Sequence, residues 1–105
     1  MSKPLPADPK LSKAMAAAIT KAWERQSWYE DLELQNGEPF VQVVDAGGHW
    51  SAVVSFRSGM MESPEAERVC RYIAIVAPGG VHDVIVAAGG NSIAQCLVKD
   101  VQAPT

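Results

Sequence analysis

Ser63-Pro64-Glu65-Ala66-Glu67-Arg68-Val69-Cys70-Arg71-Tyr72-Ile73-Ala74-Ile75-Val76-Ala77 is the stretch on which the fold turns. At about 100° per residue, Ala66, Val69, Cys70, Ile73, Ala74, Val76 and Ala77 share one half of a helical wheel. Glu65, Glu67, Arg68 and Arg71 occupy the other half. Ser63 can accept a hydrogen bond from an orphan amide of the first turn, and Pro64 sits where a missing N–H costs nothing. Glu65 and Glu67 complement the positive helix end. The spacing predicts a central helix over 63–77. Its oily side needs a cover, and the Val-rich segments on either side are the candidates.

Those flanking segments read as two hairpins cornered by glycine. Phe40–Ala46 and His49–Phe56 are rich in β-branched and aromatic residues, with Gly47-Gly48 between them. In that register Val41, Val43, Trp50, Ala52, Val54 and Phe56 share one face. The other face carries Gln42, His49, Ser51 and Ser55, with Phe40, Val44 and Val53 among them. Downstream, Pro78-Gly79-Gly80 stops the helix, Val81–Ala88 reads as a strand, and Gly89-Gly90 forms a second turn. Residues 91–99 admit two readings. As a helix, Ser92 and Gln95 have capping-box spacing; as a strand, the segment closes a second hairpin, which repeats the first and is preferred. Residues 44–52 and 86–94 agree at five of nine positions. A shared menu of Val, Ala and Gly explains that echo without duplication.

Upstream, Asp8-Pro9 supplies an N-cap and a proline at the first helical position. Leu11, Met15, Ala18, Ile19, Ala22 and Trp23 recur at helical spacing, which predicts a helix over about 9–27. The alternation in Asp31-Leu32-Glu33-Leu34-Gln35, followed by Asn36-Gly37, suggests a short edge strand, although Pro39 weakens its pairing. The expected architecture is therefore a single α+β domain in the order α-β-β-α-β-β. Two glycine-turn hairpins form an antiparallel sheet against two helices. Residues 1–8 are expected to be a flexible lead-in, 9–101 the domain and 102–105 a tail.

Composition narrows the function only by exclusion. The chain has 105 residues, enough for one domain, of which 48% are hydrophobic and 20% charged. No segment reaches the ~20 apolar residues that span a bilayer, and the first residues lack a signal-peptide core. Cys70 and Cys96 both lie in apolar runs, which suits buried thiols in a reducing compartment, so a cytoplasmic location is expected. The net charge of −3 argues against a whole-surface nucleic-acid binder. The charge is bipolar, with residues 1–29 at +3 and residues 30–67 at −7.

No catalytic or phosphate-binding motif is present. The paired glycines match neither the P-loop nor the dinucleotide fingerprint. His49, His82, Cys70 and Cys96 lack metal-ligand spacing, so neither metal nor other cofactor is expected. The expectation is a small non-catalytic module, an adaptor or inhibitor that binds another protein or a second copy of itself. Trp28, Tyr29, Arg57, Arg68 and Arg71 are its candidate contact residues. Plainer readings stand beside these: Trp28 folding back onto the core, and Glu67 pairing with Arg71 along the helix. One alternative is a small enzyme or ligand-binding domain using Cys96, His82 and Asp83, which the simplest second-hairpin register sets together, or His49 with Asp45. A further alternative is nucleic-acid binding by the basic first helix through Lys10, Lys13, Lys21 and Arg25.

Overall fold

The computed structural model describes residues 7–23, 26–58 and 61–102. Its elements are α1 (Pro9–Trp23), α2 (Ser27–Asn36), β1 (Phe40–Asp45), β2 (Trp50–Phe56), α3 (Ser63–Val76), β3 (Val81–Ala88), β4 (Asn91–Leu97) and α4 (Val98–Gln102). The lead-in expected at 1–8 falls, apart from Ala7 and Asp8, outside the described residues, as do residues 103–105 of the expected tail.

The central helix forms as its stripe requires. Ala66, Val69, Cys70, Ile73 and Ala74 are buried, while Glu65, Glu67, Arg68 and Arg71 face outward. Its cap lies one residue earlier than Ser63: Glu62 is the N-cap, and its backbone N–H donates to Glu65 Oε1 at 3.4 Å. The other end is closed from α4, where Gln102 Nε2 donates to the carbonyls of Ala74 and Ile75 at 2.7 and 3.1 Å.

The four strands lie in the order β1-β2-β3-β4. Both glycine-turn hairpins are present and antiparallel, but β2 and β3 run parallel, so the sheet is mixed and not antiparallel throughout. The reason is α3. Its 14 residues span roughly 21 Å, close to the roughly 23 Å of the seven-residue β2. The helix therefore carries the chain back to the end where β2 began, and β3 starts alongside it. Residues 91–97 are strand and 98–102 helix, which resolves the two readings of that segment.

The segment 27–36 overturns an expectation. It is helix α2 and not an edge strand, and α1 ends at Trp23 without running on to residue 27. Helical spacing turns Leu32 inward at 8% exposure and leaves Leu34 at 80%. Asn36-Gly37 is a helix terminus here, not a hairpin turn. Gly37 takes φ 87° and ψ 163°, and its N–H donates to Glu33 O at 2.7 Å.

The core lies between the sheet and the helices. Val43, Ala52, Val54, Val84 and Val86 from the strands meet Met15 and Ile19 of α1, Tyr29 of α2, and Val69 and Ile73 of α3. Asp8 caps α1 by accepting from the Leu11 N–H at 2.9 Å. The same residue ties α1 to the sheet, its backbone N–H donating to Val43 O at 2.9 Å, while Ala7 bridges Val44. The free side of β1 is thereby partly covered.

Candidate functional site

Two clusters carry the chemistry-bearing side chains, and the register of β3 and β4 decides which residue joins which. A simple two-residue glycine turn would set Asp83 opposite Cys96. An irregularity between Val86 and Ala87 shifts the ladder by one, so Asp83 pairs with Leu97 and Cys96 with Val84. A one-residue shift moves a side chain to the other face of a sheet. Cys96 consequently meets Cys70 of α3, and Asp83 turns to the face away from it.

On that outer face Asp83 is 1% exposed and fully engaged. Ser51 Oγ donates to Oδ1 at 2.5 Å, and Gln95 Nε2 donates to Oδ2 at 2.7 Å. His49 Nε2 stands 3.9 Å from Oδ1. A second irregularity, between Trp50 and Ser51 on the β2–β3 ladder, leaves His82 as the extra residue, with its ring centroid 4.4 Å from that of His49. These are the residue types of a nucleophile triad, but the order differs. A triad needs the imidazole between hydroxyl and carboxylate, so that it can take the hydroxyl proton. Here the carboxylate is in the middle, accepting from Ser51 and facing His49. The arrangement satisfies a buried carboxyl group and departs from the order by which a triad activates its serine. Asp45, the other carboxylate paired with His49 in the sequence reading, instead accepts from the Gly48 N–H at 2.9 Å and shapes the first hairpin turn.

The second cluster lies on the helix side, along the outer edge of β4, the last strand of the sheet among the described residues. A cleft of about 490 Å³ is bounded by Glu67 and Arg71 of α3, Gln95–Leu97 of β4, and Asp100 and Val101 of α4. Cys96 and Cys70 form its floor, with their Sγ atoms 3.1 Å apart. Cys70 also donates to Val84 O at 3.1 Å. Burial pushes both thiols above the ordinary cysteine range. At Cys96 the neighbouring Cys70 thiol and the Arg71 guanidinium work against that push. Among the described residues, no group of three or more His, Cys, Asp or Glu side chains is placed to hold a metal ion.

The five expected contact residues do not converge. Tyr29 is in the core at 0% exposure and presents no surface. Trp28 is half-buried and packs edge-on to Tyr29 and Tyr72, with centroids 5.6 and 5.1 Å away. Arg68 stacks over its ring at 4.0 Å. Trp28 and Arg68 line a smaller cleft of about 250 Å³ between α2 and α3. Arg71 belongs to the β4 cleft, and Arg57 is exposed beyond the end of β2. Lys10, Lys13 and Lys21 are exposed on α1, while Arg25 lies outside the described residues.

The β4 cleft was missed in the sequence because it depends on the ladder shift and on α4 folding back over α3. The burial of Cys70 on α3 was legible; its contact with Cys96 was one register step away. No family model, curated protein or solved structure matches the chain. Among the described residues no helix is long and apolar enough to cross a membrane.

Proposed function

We propose that this chain is a small non-catalytic interaction module, an adaptor or inhibitor, that takes an extended segment of a partner protein alongside β4. The observation carrying this reading is the edge of β4, which pairs with no further strand among the described residues, beside the 490 Å³ cleft. An edge strand offers a row of ladder groups to any extended chain, and proteins ordinarily guard such edges with charge, proline or a covering segment. The edge at β1 has Ala7 across it. The edge at β4 runs Asn91-Ser92-Ile93-Ala94-Gln95-Cys96-Leu97 without a charge or a proline. Its ladder shift lies near the turn, leaving Ala94–Leu97 in regular pairing with β3. Main-chain hydrogen bonds to that edge supply affinity, and alternate side chains of the added strand enter the cleft, where Glu67, Arg71 and Asp100 select among them. A second copy presenting its own β4 is the other occupant with the same chemistry.

The test is selection of displayed peptides on the folded full chain, with light scattering over a range of concentrations. Enriched peptides of extended, β-rich character whose binding falls on Arg71→Glu support the reading, as does a dimer dissociated by the same change. No enrichment together with a strict monomer overturns it. Binding that ignores Arg71→Glu but is lost on Arg68→Glu moves the contact surface to the Trp28 cleft.

A further inference from the structure

We propose that Cys70 and Cys96 form a dithiol site that exchanges with low-molecular-weight disulfides and closes to an intramolecular disulfide joining α3 to β4. The inference rests on the sulfur geometry and access to it, not on the reading of β4 as a docking edge. The two Sγ atoms are 3.1 Å apart in the reduced form. A disulfide needs about 2.05 Å, so closure requires a shift of roughly 1 Å, shared between two side chains. The residues are 26 apart in sequence and sit on a helix and a strand that pack together, so the proximity comes from the fold and not from chain adjacency.

Access assigns the order of events. Cys70 is 1% exposed, whereas Cys96 is half-buried on the cleft floor, with Arg71 beside it. The thiolate of Cys96 attacks one sulfur of the incoming disulfide RSSR. That S–S bond breaks, RS⁻ leaves and takes a proton from water, and Cys96 carries a mixed disulfide. Cys70 then gives up its proton to water, and its thiolate attacks Cys96 Sγ. The mixed disulfide breaks, a second RS⁻ leaves and is protonated. The protein loses two electrons and two hydrogens as a dithiol, and one RSSR becomes two RSH. Arg71 offsets part of the burial that holds the Cys96 thiol protonated.

Oxidised glutathione is the probe, applied to the folded full-length chain, with intact mass and thiol titration as readouts. The expected product is a monomer lighter by two hydrogens that has lost both titratable thiols and recovers them on reduction. Cys70→Ser should arrest the reaction at the glutathione adduct on Cys96, and Cys96→Ser should leave Cys70 unmodified. A trivalent arsenical, which bridges neighbouring thiols, should bind the wild type and neither variant. A stable glutathione adduct on the wild type, intermolecular disulfides, or thiols that react only after unfolding would each overturn the proposal. Because the arsenical reads proximity without oxidation, a variant that folds poorly does not rescue the idea: failure of the wild type to bind it also counts against the pair.

Discussion

Asp83 is a carboxylate with almost no solvent contact, held by one hydroxyl and one amide. Removing it strands the buried Ser51 hydroxyl, at about 1–3 kcal/mol, while the exposed Gln95 amide can turn to water. Asp83→Ala should therefore lower the unfolding free energy by about 1–3 kcal/mol, and Asp83→Asn by less, as read from urea denaturation midpoints. A neutral effect of Asp83→Ala would remove Ser51 and Gln95 from the account of that face. The buried acids make a second prediction at this scale. Burial raises Cys70, Cys96 and Tyr29 above their ordinary ranges, and for Tyr29 the nearby Glu33 and Tyr72 add to it. In each case the folded pKa exceeds the unfolded one, so above the unfolded value the native state binds more protons and stability falls as pH rises. These three groups leave the melting temperature alone below about pH 8.5, where free thiols ionise, and should lower it above that value, with Tyr29 contributing from about pH 10. A melting temperature unchanged over that range would contradict the burial of these groups. In the sequence, Ser51 and Asp83 were legible as polar residues in apolar strands. Their contact was not, because it depends on an extra residue at His82 that no propensity signals.

The elements show where local patterns suffice and where they mislead. The α3 stripe from Ala66 to Ala74 is buried as its spacing requires, and α1 likewise turns Met15, Ile19 and Ala22 inward. Helical period and caps are properties of the segment itself, so they survive into the fold. The stretch Asp31–Gln35 is different. Five residues of alternation fit a strand and a helix about equally, and Asn-Gly suits both a hairpin turn and a helix terminus. Packing decided between them: Trp28, Tyr29 and Tyr72 join α2 to α3, and Tyr72 Oη donates to Ala22 O at 2.8 Å. Gly37 should be intolerant of substitution, since its φ of 87° and ψ of 163° lie in territory kept almost wholly for glycine. Gly37→Ala should cost about 1–3 kcal/mol by denaturant titration, and a change within experimental error would mean that α2 ends some other way. Gln102→Ala should uncap α3 at a cost of about 1 kcal/mol, measurable in the same experiment.

For the whole molecule, the antiparallel expectation failed on connectivity, not on strand content. Three of the strands and the helix between them were legible from Val, Ala and Gly patterning, while residues 91–99 admitted helix as well as strand. Their joint consequence, that a helix of strand-matching length returns the chain and sets β3 parallel to β2, is a property of the assembled chain. The same assembly leaves β4 as the last strand of the sheet among the described residues, tucks α4 over the end of α3 and lays the cleft between them. A Cys70–Cys96 disulfide would close a loop spanning 26 residues, and on the chain-entropy account the oxidised form should be more stable by about 3 kcal/mol. A denaturation midpoint lower after oxidation would indicate that closure strains the α3–β4 packing. The most direct test of the β4 edge as the recognition element is to map backbone amide shifts of the isotope-labelled chain on titration with a selected peptide, or on dilution if it self-associates. The expected result is a continuous set of shifts along Asn91–Leu97 and at Glu67 and Arg71. Shifts confined to α1, to the Trp28 cleft or to the outer sheet face around Val53 and Ile85, with β4 unmoved, would contradict it.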